Sequence, residues 1–331
     1  MGIELFATLP NTENAYPDGR NTVTRINFYR QTTDGRRFVN DQRGFIYELD
    51  SSGNDTEYVN TRNAFTNDIY TGSLASGLTS FAFHPDFANS GLFYTLHTET
   101  PNGSPTPDHI PATFNLNDVS FHAVVTEWTA STPSAGTFAG TRREVLRIGS
   151  TGSNAIHPLG DLSYNPTAGI GDADYGMLYI SGGDWAISGL NRFDALQRTD
   201  TLAGTMLRID PTPPAVSGGI AGLGDYTIPA DNPFANDGDP NTLGEIFAYG
   251  FRNCHRVSWD SNGNMYGMDI GQNQLEEINI ILPGKNYGWG EREGTFLNGQ
   301  AVDGDASQVW VATDNPLFQE PVAQYLSLIH I

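Results

Sequence analysis

Short runs of alternating apolar and polar residues recur along the chain, and each is bounded by glycine, proline, aspartate or asparagine. Examples are LTSFAF at 78–83, LFYTLH at 92–97, LYISG at 178–182, HRVSW at 255–259 and NMYGMDI at 264–270. A period of two is typical of strands with one buried face, and the bounding residues form turns. The 37 glycines and 19 prolines agree with many turns. The pattern therefore predicts an all-β chain with few helices.

Three stretches share one order of features: an apolar strand, a turn, a strand carrying an aromatic residue, and a polar loop. They span 77–100, 160–184 and 255–271, and further strand candidates (HAVVTEW, GTMLRID, EIFAYG) lie between them. Meanders repeating every 40–50 residues or so are typical of β-propellers, whose blades bury their faces against neighbouring blades. A β-sandwich with coincidental hairpins is the alternative.

Two other segments carry weaker signals. At 22–50, TRINFYR and GFIYELD are interpreted as two strands around RFVNDQRG. The stretch 193–207 has an apolar pattern that Gly204 interrupts, so it is interpreted as a loop leading into a strand.

The sequences of the two chain ends also allow predictions. The last six residues, LSLIHI, follow Tyr325 abruptly and resemble the translation of a sequencing-library adapter. We expect 326–331 to be a non-native tail, and 1–325 to be a single domain whose last blade is truncated. The first residues lack the basic and apolar regions of a signal peptide.

Net charge narrows the range of partners. The chain has 17 Lys and Arg against 38 Asp and Glu, which gives −21 at pH 7. Such a field repels phosphate backbones, so we expect no nucleic-acid partner. No apolar run is long enough for a membrane span. Cys254 is the only cysteine, so no internal disulfide forms.

Polar side chains cluster at the ends of two neighbouring predicted strands. Arg252 and Asn253 precede HRVSW, and an acidic, glycine-containing loop follows NMYGMDI; that loop holds Asp269, Gly271, Gln272, Glu276 and Glu277. Arginine can donate two parallel hydrogen bonds to an anion, and carboxylate and carbonyl oxygens bind calcium. The two loops could hold an anionic cofactor with a hard cation. An ordinary salt bridge is the alternative for Arg252.

A second acidic stretch, 230–245, is also a calcium candidate. It contains Asp231, Asp237, Asp239 and Glu245 without the spacing of an EF-hand. A solvated turn is the better interpretation.

His157 and Asp184 are the candidates for proton transfer. His157 lies just before a predicted strand, and Asp184 ends the next one. A histidine can take a proton near neutral pH, and a nearby carboxylate can orient its ring. The alternative is that His157 only caps a turn.

The ordered series of motifs resembles one family. GLTSFAFHPDFANSGLFYT, His157 with GDLSYNP, YISGGD, GTMLRIDP, AYGFRN, DIGQNQLEEINII and GKNYGWGEREG follow one another as in the soluble sugar dehydrogenases that use pyrroloquinoline quinone (PQQ). These glucose/sorbosone dehydrogenase-like proteins are six-bladed β-propellers. The resemblance implies a six-bladed propeller here, incomplete at its C-terminal end.

The resemblance also implies roles for individual residues. His157 matches the general base that takes the proton of the anomeric hydroxyl while hydride passes to the quinone, and Asp184 matches the carboxylate beside it. Arg252 and Asn253, with His157, match the cofactor-binding residues. The backbone carbonyls of Gly271 and Gln272 stand where calcium is held, in the loop that contains Asp269 and Glu276.

The implied activity is oxidation of an aldose to its lactone by a periplasmic or secreted enzyme with PQQ, calcium and an external electron acceptor. Two features depart from the family. Well-studied members carry a glutamine that contacts the cofactor ahead of the FAFHPDF strand, and Ala75 occupies that position here. The Asp269–Gln272 loop also resembles that of Hedgehog-interacting-protein-like propellers. A non-enzymatic propeller that binds a protein or glycan is therefore the alternative, followed by a calcium-dependent lactonase-type hydrolase.

Overall fold

The computed structural model describes residues 4–14, 19, 23–65, 69, 75–102, 105–111, 119–151, 157–185, 193–272, 275–297 and 315–326. Within these ranges the chain forms four antiparallel sheets of four strands each, together with two short hairpins and a few helical turns. The expectation of an all-β chain with few helices is confirmed.

The strands follow chain order within each sheet. The first sheet contains β1 (Ile26–Gln31), β2 (Arg37–Asp41), β3 (Phe45–Leu49) and β4 (Asp55–Asn60). The second contains β5 (Leu78–Phe83), β6 (Leu92–Glu99), β7 (Val119–Ala130) and β8 (Gly140–Thr151). The third contains β9 (Leu159–Ser163), β10 (Leu178–Gly182), β11 (Thr205–Ile209) and, after the hairpin β12 (Ile220–Ala221)–β13 (Thr227–Ile228), β14 (Ile246–Tyr249).

The fourth sheet contains β15 (Cys254–Trp259), β16 (Met265–Ile270), β17 (Leu275–Ile281) and, after the hairpin β18 (Arg292–Glu293)–β19 (Phe296–Leu297), β20 (Ala323–Leu326). Two single-turn α-helices, α1 (Phe87–Ser90) and α2 (Pro214–Ser217), and 3₁₀ turns at Thr61–Asn63 and Phe193–Gln197 complete the elements.

The first strands of the four sheets meet at the centre of the molecule. β5 packs against both β1 and β9, and β9 packs against β15. Arg256 of β15 donates to the side chain of Asn27 in β1 at 2.6 Å, which links the first and fourth sheets. This is a β-propeller-like arrangement of four blades within the described residues, as the repeated meanders predict.

Three details differ from the sequence interpretation. RFVND, assigned to a connection, is the strand β2, and the HPDF turn leads into the helix α1. The predicted strands GTMLRID and EIFAYG form β11 and β14, the outer strands of the third blade, and β4 and β8 were not predicted. The apolar stretch near 193 contains a 3₁₀ turn before β11.

Aromatic side chains fill the space between the first two blades. Phe38, Phe83, Phe93 and Trp128 are buried, and the Phe93 and Trp128 rings stack with their centroids 5.8 Å apart. Burial of such a side chain stabilises a fold by about 1.5–3 kcal/mol each. The blades are thus held together by apolar wedges, as propeller packing requires.

A buried carboxylate joins the four central strands. Asp161 of β9 accepts hydrogen bonds from Arg30 of β1, from Ser80 of β5 at 2.9 Å and from the backbone N–H of Val257 in β15 at 3.1 Å. Its side chain is fully buried, so the ion pair with Arg30 lies in a poorly hydrated environment. Asp161 fixes the central strands relative to one another.

No helix in the described part of the chain is long and apolar enough to cross a membrane.

Candidate functional site

The residues predicted for proton transfer lie in contact. His157 immediately precedes β9, Asp184 follows β10, and His157 Nδ1 is 2.8 Å from Asp184 Oδ1. The Asp184 side chain is fully buried, whereas 16% of the His157 side chain is exposed. A carboxylate only accepts hydrogen bonds, so Nδ1 carries the proton and Nε2 is the basic nitrogen. This arrangement orients an accessible imidazole as a proton acceptor.

The backbone around this pair is strained. His157 (φ 48°) and Trp185 (φ 53°) are the two non-glycine residues with positive φ in the described chain, and Trp185 N–H donates to the His157 carbonyl at 3.1 Å. Left-handed conformations of such residues cost of order 1–3 kcal/mol and concentrate at functional sites. Gly183 permits this approach, because a Cβ there would lie 2.5 Å from the His157 carbonyl oxygen.

Arg252 lies beside the histidine–aspartate pair. Its carbonyl accepts the backbone N–H of Asp184 at 2.7 Å, so the loop before β15 is bonded to the loop after β10. Arg252 Nη1 donates to the carbonyls of Ile270 and Gly271 at 2.9 and 2.7 Å. Its Nε is buried and makes no hydrogen bond to any residue that the structure describes. The guanidinium is thus held by backbone oxygens rather than by a salt bridge.

Asp269 organises the start of the fourth blade. Its two oxygens accept the backbone N–H groups of Arg252 and Asn253 at 3.0 and 2.6 Å. Burial raises the pKa of Asp269 and of the nearby Glu277, and a neighbouring carboxylate raises each further: Glu277 for Asp269, and Glu293 for Glu277. Glu276 accepts the Gly271 N–H at 3.2 Å. Asp269 and Glu276 therefore stabilise the loops at both ends of the β15–β16 hairpin by accepting hydrogen bonds from backbone N–H groups.

Trp289 was missed by the sequence interpretation. Its Nε1–H donates to Asp184 Oδ2 at 3.3 Å, and the Arg252 guanidinium carbon lies 5.6 Å from the centroid of its ring. The tryptophan contacts both halves of the site although 105 residues separate it from Asp184. Its position between two glycines in NYGWG is the signal that could have drawn attention to it.

The donor set can be compared with what PQQ and calcium require. An anionic quinone needs buried N–H donors, and the buried Arg252 Nε, which has no partner among the described residues, fits that need. Among the residues that the structure describes, no three side chains form a metal site. A calcium ion at this loop would instead be held by the main-chain carbonyls of Gly271 and Gln272 with oxygens of the cofactor. The Arg252 Nε thus fits the cofactor, and the Gly271 carbonyl, which already accepts Arg252 Nη1, keeps one lone pair for a cation.

Other candidates lie elsewhere. Asp231, from the second acidic stretch, is exposed and pairs at 2.8 Å with the buried Arg208. A cavity of about 520 Å³ opens where β9 and β15 end, and Ser163 and Trp259 line it. His157, Asp184 and Arg252 lie at the other ends of these strands and do not line it. The candidate site is therefore the cluster at the opposite ends of those strands.

Comparisons with known proteins identify similar sequences. Residues 167–329 match the Glucose / Sorbosone dehydrogenase family. The chain is 32% identical over 247 residues to HIPL2 protein of Arabidopsis thaliana (67% of the chain, 34% of that protein). It is 26% identical over 231 residues to Quinoprotein glucose dehydrogenase B of Acinetobacter calcoaceticus (65% of the chain, 40% of that protein).

A solved structure supports the fold. The PQQ-bound aldose sugar dehydrogenase of Streptomyces coelicolor superposes with a TM-score of 0.59 at 22% identity, over 92% of the chain and 69% of that structure. The chain spans about a third of the length of HIPL2 protein and two fifths of the Acinetobacter protein.

Proposed function

We propose that the protein, whose residues 167–329 match the Glucose / Sorbosone dehydrogenase family, is a PQQ- and calcium-dependent dehydrogenase that oxidises the anomeric carbon of an aldose to a lactone. The observation that carries the proposal is the joint position of a proton acceptor and a cation. The His157–Asp184 pair and Arg252 are linked through the hydrogen bond from Asp184 N–H to the Arg252 carbonyl.

His157 acts as the general base in this proposal. Asp184 holds the Nδ1 proton, so the lone pair of Nε2 is directed away from the carboxylate and accepts the proton of the anomeric hydroxyl. The imidazolium formed is stabilised by the buried Asp184 charge, as in other histidine–aspartate pairs. The proton thus leaves the substrate at one stated atom, Nε2 of His157.

Arg252 and Asn253 hold the cofactor in this proposal. Bound PQQ supplies the two-electron acceptor for the hydride that leaves C1 of the sugar. The Arg252 Nε–H would donate to the cofactor, and the main-chain carbonyls of Gly271 and Gln272 would hold the calcium ion. Positive charge at this position favours an acceptor that gains electrons.

Several wider features belong to the same proposal. The described four blades are part of a six-bladed propeller, and the enzyme works in the periplasm or outside the cell with an external electron acceptor. Because the chain spans 34% to 40% of the curated relatives cited above, the activity is proposed for the whole protein.

The test is a dye-linked activity assay. The protein is incubated with PQQ and calcium and assayed with an artificial acceptor against a panel of aldoses, beside a His157→Ala variant. We expect aldose-dependent dye reduction that the variant lacks. Equal rates for the two proteins, or no reduction with any aldose, would reject the proposal.

The similarity to HIPL2 protein favours one alternative, a propeller that binds a protein or glycan without redox activity. An absorbance titration with PQQ separates the two functions. A dehydrogenase binds the quinone stoichiometrically and only with calcium present, whereas a binding module gives no calcium-dependent quinone spectrum.

A further inference from the structure

We propose that Trp289 is a positioning residue that couples the His157–Asp184 pair to Arg252, a role that rests on the function proposed above. The indole contacts both groups at once. Its Nε1–H donates to Asp184 Oδ2, and its ring lies against the Arg252 guanidinium. The two Asp184 oxygens therefore face different partners, the imidazole on one side and the indole on the other.

The indole is itself held from several directions. Trp289 N–H donates to the Gly250 carbonyl at 2.8 Å, and its own carbonyl accepts Gln197 Nε2 at 2.6 Å. The Phe193 ring meets it edge-on at a centroid distance of 6.2 Å. Only 3% of Trp289 is exposed. Because the backbone and neighbouring side chains fix the indole, the indole in turn restricts the positions of Asp184 and Arg252.

The flanking glycines explain why the chain can place a tryptophan here. Gly288 and Gly290 have φ values of 88° and 108°, which favour glycine. A Cβ at Gly290 would also lie 2.8 Å from the Phe193 carbonyl oxygen. The turn therefore brings the indole towards Asp184 with a backbone geometry that few other residues could adopt.

The indole does two separable things. Its N–H fixes the plane of the Asp184 carboxylate, and that plane sets the direction of the His157 ring. Its π face attracts the Arg252 guanidinium, which is a cation–π contact. Trp289→Phe keeps an aromatic face and removes the N–H, whereas Trp289→Leu removes both. The two variants separate the effects on the base from those on the cation.

The primary test needs no cofactor and no turnover. The proton on His157 Nδ1 is observed by NMR in the PQQ-free protein, in wild type, in Trp289→Phe and in Trp259→Phe. Trp259 is the matched control, because its Nε1–H donates to Ser163 Oγ at 2.8 Å, at the far ends of the central strands. We expect the Nδ1–H signal to broaden or vanish in Trp289→Phe and to persist in Trp259→Phe.

Kinetics give the second readout with the PQQ- and calcium-loaded protein. In Trp289→Phe we expect kcat to fall about tenfold with KM within twofold, as for loss of one hydrogen bond to a charged group. In Trp289→Leu the affinity for PQQ falls as well, because Arg252 loses its support. Trp259→Phe keeps kcat and KM.

The outcomes separate the two proposals. An Nδ1–H signal that is equally sharp in Trp289→Phe and wild type overturns the role of Trp289, whatever the activity. Loss of the signal in a protein that oxidises no aldose keeps the coupling and rejects the dehydrogenase. If Trp289→Phe does not fold, the isosteric benzothienylalanine at 289 removes only the N–H and is measured in the same way.

Discussion

His157 and Asp184 are separated by 27 residues, yet their side chains meet at 2.8 Å, because the loops before β9 and after β10 emerge at the same end of the third blade. The contact requires a left-handed backbone at His157 and a glycine at 183. The following predictions test what this contact and its surroundings do.

Asp184→Asn is expected to lower kcat by about 100-fold or more. An amide in place of the carboxylate donates to Nδ1, which moves the imidazole proton to Nε2 and removes the proton acceptor. The measurement is kcat with PQQ, calcium and an aldose that the wild type oxidises. Asp161→Asn is the control, because it also neutralises a buried carboxylate but lies among the central strands. Equal loss in both variants would attribute the effect to general destabilisation.

Gly183→Ala is expected to displace His157. The added methyl group would meet the His157 carbonyl oxygen and Cβ at 2.5 and 2.7 Å, so the loop must move. We expect kcat to fall at least tenfold, by the general sensitivity of catalysis to misplacement. Gly136→Ala adds the same methyl group where nothing lies within 4 Å. Full activity of both variants would show that the approach of Gly183 to His157 is not needed.

Asp161→Ala is expected to destabilise the fold by about 1–3 kcal/mol, because it removes the acceptor of the Ser80 hydroxyl, the Val257 N–H and the partly exposed Arg30. Urea unfolding measures the effect, and Asp237→Ala, at an exposed position, is the control. A loss below about 1 kcal/mol, the usual range for exposed pairs, would contradict a central role for Asp161.

His122 is expected to make the fold sensitive to acid. Burial and the Arg147 charge lower the pKa of His122 to about 4, and Arg147 donates to its Nδ1 at 2.8 Å. Between pH 6.5 and 4 the unfolded chain binds a proton that the folded chain does not, so this contribution to stability is lost as the pH falls.

Urea unfolding of wild type and His122→Asn at several pH values measures this effect. The wild type should lose stability relative to the variant by up to about 1.4 kcal/mol per pH unit across that window. A difference that is independent of pH would contradict the prediction.

The alternating pattern predicted the innermost strands of the four sheets but missed β2, β4, β8 and β17. β2 shows one reason. Asn40 and Asp41 are polar yet buried, and the Asn40 side chain accepts Phe28 N–H and donates to the Leu78 carbonyl. Hydrogen bonds satisfied by other strands hide such a strand from hydrophobic periodicity. The pairing of β14 with β11 was also not predictable, because the sequence around each strand does not show which strand it pairs with.

The site was predicted in part. The ordered motifs implied His157, Asp184 and Arg252, and the structure brings these three together. Trp289 and Gly183 could not be derived in the same way, because their importance lies in contacts with residues distant in the sequence. The inward orientation of Asp269 depends on backbone N–H groups that a sequence pattern does not show.

Stopped-flow absorbance of the bound quinone tests the central claim most directly. PQQ- and calcium-loaded wild type and His157→Ala are mixed with an aldose in the absence of any acceptor, and reduction of the quinone is followed over a single turnover. We predict that both proteins bind PQQ and that only the wild type reduces it rapidly, with the variant at least 100-fold slower. Reduction at the same rate in both proteins would contradict the assignment of His157 as the base.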